Sequence, residues 1–378
     1  MTAPTPDTPT RKVTLADVSR LAGCSKGVVS AVVNGARGNI AASPATRERV
    51  LAAARRLGYR PNFASQSLAR RSTQTIGIYV PPGVGASLGY SYEGRIVRGV
   101  EQACRERGYD LLVINLAGGV TPDQCGWRFA EGRVDGLLLL HVPHDADWVA
   151  ALAQAHRRVA AVNYYGPVLS LASVVFDDAT AVRLAVRHLA GLGHRRIGYL
   201  GAVDHDLGPG GARRAAGFRA AVGGLDLEPR PAWLWDHSNR LFRRAAPVGW
   251  SPLAGRAGAD YFLSLGEAGP TAVVCHDDQL AAALVQRLAE RGVRVPQQLS
   301  VVGIDDADIA ARMFPPLTSV RQPLEQMGHR AATLVLDAAH PATRRARGKG
   351  PLTRRELWPP ELQIRQSSAA PDVAAVVS

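Results

Sequence analysis

The residues best placed to do chemistry in this chain are cations, and they are crowded at one end. Residues 1–71 carry 12 Lys/Arg against 3 Asp/Glu, whereas the other 307 residues carry 33 against 29. Positive charge confined to a short segment suits phosphate neutralisation, because Lys and Arg release the counterions condensed on a nucleic-acid backbone. Elsewhere the titratable residues make no catalytic constellation. The ten His lack a metal-ligand spacing: His141 and His144 flank a proline, and His194 follows Gly193 at a helix end. Cys275 and His276 are adjacent, and neighbours on a strand point to opposite faces, which argues against a thiol dyad. No GxGxxG opens a helix and no GxxxxGK[ST] offers a nucleotide-phosphate loop.

Composition narrows the class further. Cys24, Cys104, Cys125 and Cys275 form no CxxC pair, which fits a reducing compartment and speaks against a disulfide scaffold or a zinc site. The start MTAPTPDTPT lacks the basic and apolar regions of a signal peptide, and no run approaches the length of a membrane span. The expectation is a cytoplasmic, DNA-associated protein with no membrane partner and no cofactor. A pI near 10.2 also permits contact with anionic lipid, but the apolar positions of the basic segment are better used as a small core.

Three short helices must carry those cations. Residues 1–12 read as a disordered tail. Thr14 can cap a first helix with Asp17 at N3, Val18 and Leu21 facing inward and Gly23 ending it. Ser25 can cap a second helix, with Val28, Val29, Val32 and Val33 on its apolar side. Two helices joined by the turn AGCS have the helix-turn-helix layout. Ser43 and Pro44 open a third helix, lined by Val50, Leu51, Ala54 and Leu57 and stopped by Gly58. Residues 59–74 then read as a linker in which Asn62 can cap one or two turns of FASQSLAR.

From residue 75 the pattern becomes α/β. TIGIYVP, DLLVINL, VDGLLLL and VAAV read as strands separated by helical runs at 92–108 and 147–155. The rhythm restarts at RIGYLG, near PAWLW, at TAVVCHD and at LSVVGID. This alternation predicts parallel sheets with crossover helices, and about 300 residues divide naturally into two lobes with a crevice between them.

These strings resemble a known family. The run VTLADVSRLAGCSKGVVSAVVNG, then SPATRERVLAAARRLGYRPN, is similar to the head of the lactose repressor/galactose repressor family of bacterial transcription regulators. The resemblance continues through HLAGLGHRRIGYLG, RAAGF, HDDQLAAALVQRLAERGVRVPQQLSVVGIDD, PPLTSVRQP and PPELQIRQS, covering residues 13–368. It implies an N-terminal all-α helix-turn-helix head (13–58), a hinge helix (59–74), and a two-lobed periplasmic-binding-protein-like core (75–368) before a flexible tail (369–378).

The resemblance also implies roles. The second helix would enter the major groove through Ser25, Lys26 and Gly27, followed by Val28, Ser30 and Ala31, with Thr14, Asn34 and Asn62 in the DNA-facing set. Val28 and Ala31 stand where the family usually has Thr and Arg, so base reading relies less on bidentate arginine. Leu68 matches the leucine wedged into the minor groove, with Arg70 and Arg71 left for phosphates. For an effector between the lobes, Arg214, Asp305, Asp277, Trp250, Asn163 and Tyr92 (or Tyr90) are the carried-over candidates. Asp277 replaces the family's Asn, which removes donors, adds negative charge and favours a neutral sugar or glycoside over a purine or a sugar acid. Arg214 and Asp305 are expected to face each other across the cleft with Trp250 on its wall, unless they pair with one another.

The implied protein is a homodimeric repressor on a pseudopalindromic operator, its DNA binding controlled by its effector. An activator or corepressor-type regulator, and a solute-binding protein without regulatory role, are the alternatives. The basic stretch 341–357 reads as a solvated loop.

Overall fold

The computed structural model describes residues 13–34, 42–80, 91–114, 129, 131–142, 147–156, 158–167, 171–201, 209–225, 227, 230–236, 252–339 and 354–372. Trp250, Tyr90, Cys125 and residues 341–353 of the basic stretch lie outside this set. The chain divides into two compact units: Met1–Thr75 with Gly132–Asp135, and Ile76–Glu131 with Gly136–Ser378.

The first unit is all-helical: α1 (Leu15–Ala22), α2 (Lys26–Asn34), α3 (Pro44–Leu57) and α4 (Phe63–Arg70). Asp17 accepts from Thr14 N at 3.0 Å and from Thr14 Oγ1 at 2.7 Å, so the acid at N3 reaches back to the cap. Gly23 at φ 63° and Gly58 at φ 65° close α1 and α3 in the left-handed region, which glycine enters without steric cost. Ser43 Oγ accepts from Thr46 N at 3.2 Å, with Pro44 in the first turn. The core is Val18, Ala22, Val29, Val32, Val50, Ala53 and Ala54. Leu21 and Leu51, expected in that core, are instead 44% and 36% exposed. The i,i+4 pair Val18/Ala22 centres the stripe on α1 and Val50/Ala53/Ala54 centres it on α3, leaving both leucines at the margin.

Residues 70–73, expected as linker, are ordered locally. Arg71 ends α4 at φ 56° and donates its N–H to Leu68 O and Ser67 O. Asp135 then ties the exit: it accepts from Thr73 N and Gln74 N, each at 2.9 Å, and from Ser72 Oγ.

The second unit holds two six-stranded sheets. The first runs β11 (Arg355–Trp358), β5 (Ala172–Phe176), β4 (Val159–Val162), β3 (Gly136–Leu140), β1 (Thr75–Tyr79), β2 (Asp110–Ile114). The second runs β12 (Glu361–Gln363), β10 (Thr318–Arg321), β9 (Ser300–Asp305), β8 (Ala272–Cys275), β6 (Ile197–Gly201), β7 (Leu234–Asp236). The ladders from β1 through β3, β4 and β5 to β11, and from β7 through β6, β8 and β9 to β10, are parallel, with Ile76 opposite Gly136 and Ala272 opposite Ser300, whereas β12 pairs antiparallel to β10. Central strands β1, β3, β4, β5 and β8 are buried along their whole length, as parallel strands covered on both faces must be.

Helices α5 (Ser91–Arg107), α6 (Asp147–Ala155) and α12 (Leu324–Ala339) belong to the first lobe, where α12 packs on α5 and on β3–β5. Helices α7 (Asp178–Gly191), α8 (Pro209–Gly223), α9 (Pro252–Ser264), α10 (Asp278–Glu290) and α11 (Asp308–Arg312) belong to the second. The chain passes between lobes three times: from β5 to α7, from β10 to α12, and from β11 to β12.

Two sequence expectations shift here. The last residues of the basic stretch, Arg355–Leu357, are not loop but strand, pairing Arg355 with Ser173 and Leu357 with Val175. Residues 369–372 of the expected flexible tail are placed. Ala369 O lies 2.9 Å from His194 Nε2, and Ala369 N donates to Ser300 Oγ at 3.1 Å, so the tail satisfies polar groups of the second lobe.

Candidate nucleic-acid interface and effector cleft

In the head, Ser25, Lys26 and Gly27 at the start of α2 are exposed, and Val28, Ser30 and Ala31 are half-buried along the same helix. Ser25 Oγ lies 3.4 Å from Val28 N, a weak cap that leaves the first turn open to an anion. Thr14 is exposed but committed to Asp17. Asn34 departs from the expected DNA-facing position. It is 2% exposed, and its Nδ2 donates to Ser30 Oγ at 3.0 Å because the C-terminal turn of α2 points it inward.

Asn62 Oδ1 accepts from Ala64 N at 2.9 Å and so caps α4. No α4 residue is buried, and Leu68 is 81% exposed. A bare leucine on a capped helix has apolar surface without a partner in this chain segment. Arg70 Nη1 donates to Gln74 Oε1 at 2.7 Å, while Arg71 serves as the C-cap residue.

In the second unit the polar residues converge where the lobes meet. Arg214, on α8, is buried and engages four acceptors. Its Nε donates to Asp178 Oδ1 at 2.7 Å and its Nη1 to His276 O. Its Nη2 lies 3.3 Å from Asp305 Oδ1 and 3.4 Å from Gln322 Oε1. Gly217 makes this possible: a Cβ there would sit 2.9 Å from Ala179 Cα, so only glycine lets α8 approach the first turn of α7 that carries Asp178. Arg214 and Asp305 therefore do not oppose each other across the cleft; both belong to the second lobe and pair within it.

The first lobe answers with tyrosines and an asparagine. Tyr92 OH accepts from Asn163 Nδ2 at 2.6 Å and from Gln322 Nε2 at 3.2 Å. Asn163, in the left-handed region at φ 55°, also accepts from Phe176 N at 2.9 Å. Tyr165 OH reaches Asp178 Oδ2 at 2.7 Å, and Arg213 stacks 4.4 Å over the Tyr165 ring. Asp277 caps α10, accepting from Leu280 N at 2.8 Å, and is buried there.

The cleft is rich in carboxylates. Burial pushes the Asp305 carboxyl up to about 7, against the opposing pull of Arg214, and the charges of Asp277 and Asp178 raise it further. Burial likewise raises Asp278 well above the usual carboxylate range, although Ser319 Oγ and Ala307 N both donate to it at 2.6 Å. Tyr92 is raised by burial and by Asp305. One fully engaged arginine among Asp178, Asp277 and Asp305 leaves more carboxylates than cations here, an arrangement suited to a ligand that donates hydrogen bonds.

Comparison with known proteins follows this division. Residues 14–62 match the family described as bacterial regulatory proteins, lacI family, and residues 186–368 match the periplasmic binding protein-like domain. An uncharacterized HTH-type transcriptional regulator in the aml 5' region of Streptomyces limosus is 36% identical over 363 residues, 94% of each chain. The chain belongs to the LacI family. The lac repressor dimer bound to operator and the anti-inducer ONPF is 26% identical, with a TM-score of 0.74 over 95% of this chain and 100% of that one. A transcriptional regulator CelR–cellobiose complex is 29% identical, with a TM-score of 0.65 over 94% of this chain and 100% of that one.

In this LacI-family chain, sequence motifs located Arg214, Asp305, Asp277, Asn163 and Tyr92, and the fold brings all five to the lobe boundary. Four partners were missed. Gln322 sits inside the motif PPLTSVRQP and Asp178 opens α7 just after β5, and each lies where a lobe crossing starts, which was the available signal. Tyr165, and Arg95 on α5, whose Nη1 donates to Asp305 O at 3.1 Å, carry no local signal, because their partners lie 13 and at least 210 residues away. Among the described residues, no group of His, Cys, Asp and Glu is placed to hold a metal, and no helix is long and apolar enough to cross a membrane.

Proposed function

We propose that this protein is a cytoplasmic, homodimeric transcriptional repressor whose operator binding is controlled by a small neutral sugar or glycoside held between the lobes. The observation that carries it is the coexistence of an exposed start of α2 at Ser25, Lys26 and Gly27 and a bare Leu68 on α4 with a buried group of carboxylates around Arg214 in the same chain. Lys26 and Arg70 would neutralise phosphates, and Ser25, Gly27, Ser30 and Ala31 would meet base edges or backbone. Leu68 would wedge into the minor groove. A two-fold dimer would match a pseudopalindromic operator, as with the lac repressor dimer on its operator.

In the cleft, Asp305 and Asp277 would accept hydroxyl protons, Arg214 would donate once Asp305 turns to the ligand, and Tyr92 and Asn163 would form the opposite wall. Trp250 would supply an apolar face. The carboxylates disfavour an anionic ligand, and the cellobiose complex of CelR shows that a related regulator takes a disaccharide. No enzymatic reaction is assigned to the cleft. The ligand would act by differential affinity for two lobe arrangements.

Gel-shift selection from a genomic DNA pool, with and without a panel of neutral sugars, tests this reading. Retention of a discrete DNA fragment that one sugar releases supports it; sugar binding without DNA retention would make this a solute-binding protein.

A further inference from the structure

The two residues at the end of β9 are held in an unusual backbone. Asp305 has φ 110° and Asp306 φ 49°, a region that side-chain-bearing residues occupy at a cost. Groups of the second lobe over-determine that turn. Arg214 takes the Asp305 carboxylate, Ser319 Oγ accepts from Asp306 N at 3.0 Å, and Arg321 Nε reaches Asp306 Oδ2 at 2.8 Å. Arg365 Nη2 holds the other Asp306 oxygen at 2.5 Å.

One further grip comes from the opposite lobe. Arg95, on the second turn of α5, points its Nη1 at both carbonyls of the turn, 3.1 Å from Asp305 O and 3.0 Å from Asp306 O. In this left-handed arrangement both carbonyls converge on one nitrogen, and rotating the 305–306 peptide would turn the Asp305 carbonyl away from it. Arg95 thus reads the backbone of the residue whose side chain pairs with Arg214.

We infer that Arg95 is a positioning residue that ties the first lobe to the effector-binding turn, so that displacement of the Asp305 carboxylate is felt by α5. This deepens the effector reading above and rests on it. A ligand that draws Asp305 away from Arg214 rotates the 305–306 peptide, splits the pair of carbonyls, and loosens or re-aims the tie between lobes. The charge-assisted character of the two bonds makes their loss consequential. The same geometry explains why an arginine is needed: its planar group presents two hydrogens from one nitrogen in fixed directions, which a lysine ammonium does not hold.

The tie can be tested in the intact protein without knowing the ligand. Asp305→Asn mimics loss of the carboxylate from Arg214. Hydrogen exchange is then followed by mass spectrometry in segments covering α5 and the 305–307 turn. With Arg95 present, Asp305→Asn should change exchange in the first two turns of α5 by at least about tenfold. In an Arg95→Ala background the same substitution should change it less than about twofold, and Arg95→Lys should restore part of the response. Exchange in the interior of β9, Val301–Ile304, serves as the control for general loosening. An equal α5 response with and without Arg95, or no α5 response in the presence of Arg95, overturns the inference. Failure of every sugar to release DNA would instead refute the effector reading, and leaves this outcome readable on its own.

Discussion

Arg214 Nη2 stands 3.3 Å from Asp305 Oδ1 on the same lobe, while Nε of the same guanidinium stands 2.7 Å from Asp178 Oδ1. The arginine is thus a countercharge for two buried carboxylates before any ligand arrives. The shorter bond goes to Asp178, which leaves the longer contact to Asp305 as the one a ligand can replace.

Arg214→Ala should therefore cost more than ligand contact. It strands Asp178 and Asp305 in a buried site, and breaking such a pair from one side typically costs about 3–5 kcal/mol. Urea denaturation at pH 8 should show a loss of that size. Arg214→Lys should recover most of the stability but not calorimetric sugar binding, because an ammonium cannot serve four acceptors spread around a plane. Full stability of the alanine variant would mean the carboxylates are neutral in the folded state.

Asp305 gives a pH signature with a definite sign. Its folded-state carboxyl, raised to about 7, binds a proton more readily than in the unfolded chain. The folded state therefore gains protons over the unfolded state between the ordinary carboxylate range and about 7. This contribution to stability is complete below that ordinary range, declines as pH rises towards 7, and is gone above it. Denaturation midpoints from pH 5 to 8.5 should fall more steeply in the parent than in Asp305→Asn. Parallel curves would remove Asp305 as the titrating group.

If an effector hydroxyl donates to ionised Asp305, binding must release a proton near neutral pH. Calorimetry with a neutral sugar that alters DNA retention in the gel-shift panel, repeated in two buffers of different ionisation heat, should then register proton release at pH 6.5 and much less at pH 8.5. Uptake instead of release would mean that the neutral acid is the bound form.

Leu68 is 81% exposed, so Leu68→Ala should shift unfolding by no more than about 0.5 kcal/mol. It should nonetheless weaken the selected operator fragment far more than random DNA, since a wedge contributes through the bend it makes at a particular step. Arg70→Ala should weaken both alike. Equal losses for Leu68→Ala would return α4 to a plain connector.

Lys26→Ala should lower the slope of log affinity against log salt by about 0.9, one phosphate's worth of counterion release. A chain beginning at Ile76 should lose DNA binding altogether. Operator retention by that shortened chain would show that the head is not the DNA-binding unit.

Local sequence rules determined a good deal of this protein. Thr14, Gly23, Ser43, Gly58 and Asn62 mark helix ends by short-range bonds and backbone freedom, so they are legible wherever they occur. The alternation of apolar runs foretold parallel sheets, and motif resemblance placed Arg214, Asp305, Asn163 and Tyr92 at one site. Tertiary structure decided the rest. Leu21 and Leu51 satisfy the helical spacing, but the small head has room for only the central stripe, and they fall outside it. The strand Arg355–Trp358 is short, with two charged residues among its four, and it exists because β5 offers an edge to pair with. The partnership of Arg214 with Asp178 needs Gly217 against Ala179, and that of Arg95 with Asp305 spans 210 residues. Such pairs depend on which elements are brought together, and the residues themselves carry no trace of it, because a side chain's charge is local while its partner is set by the path of the chain.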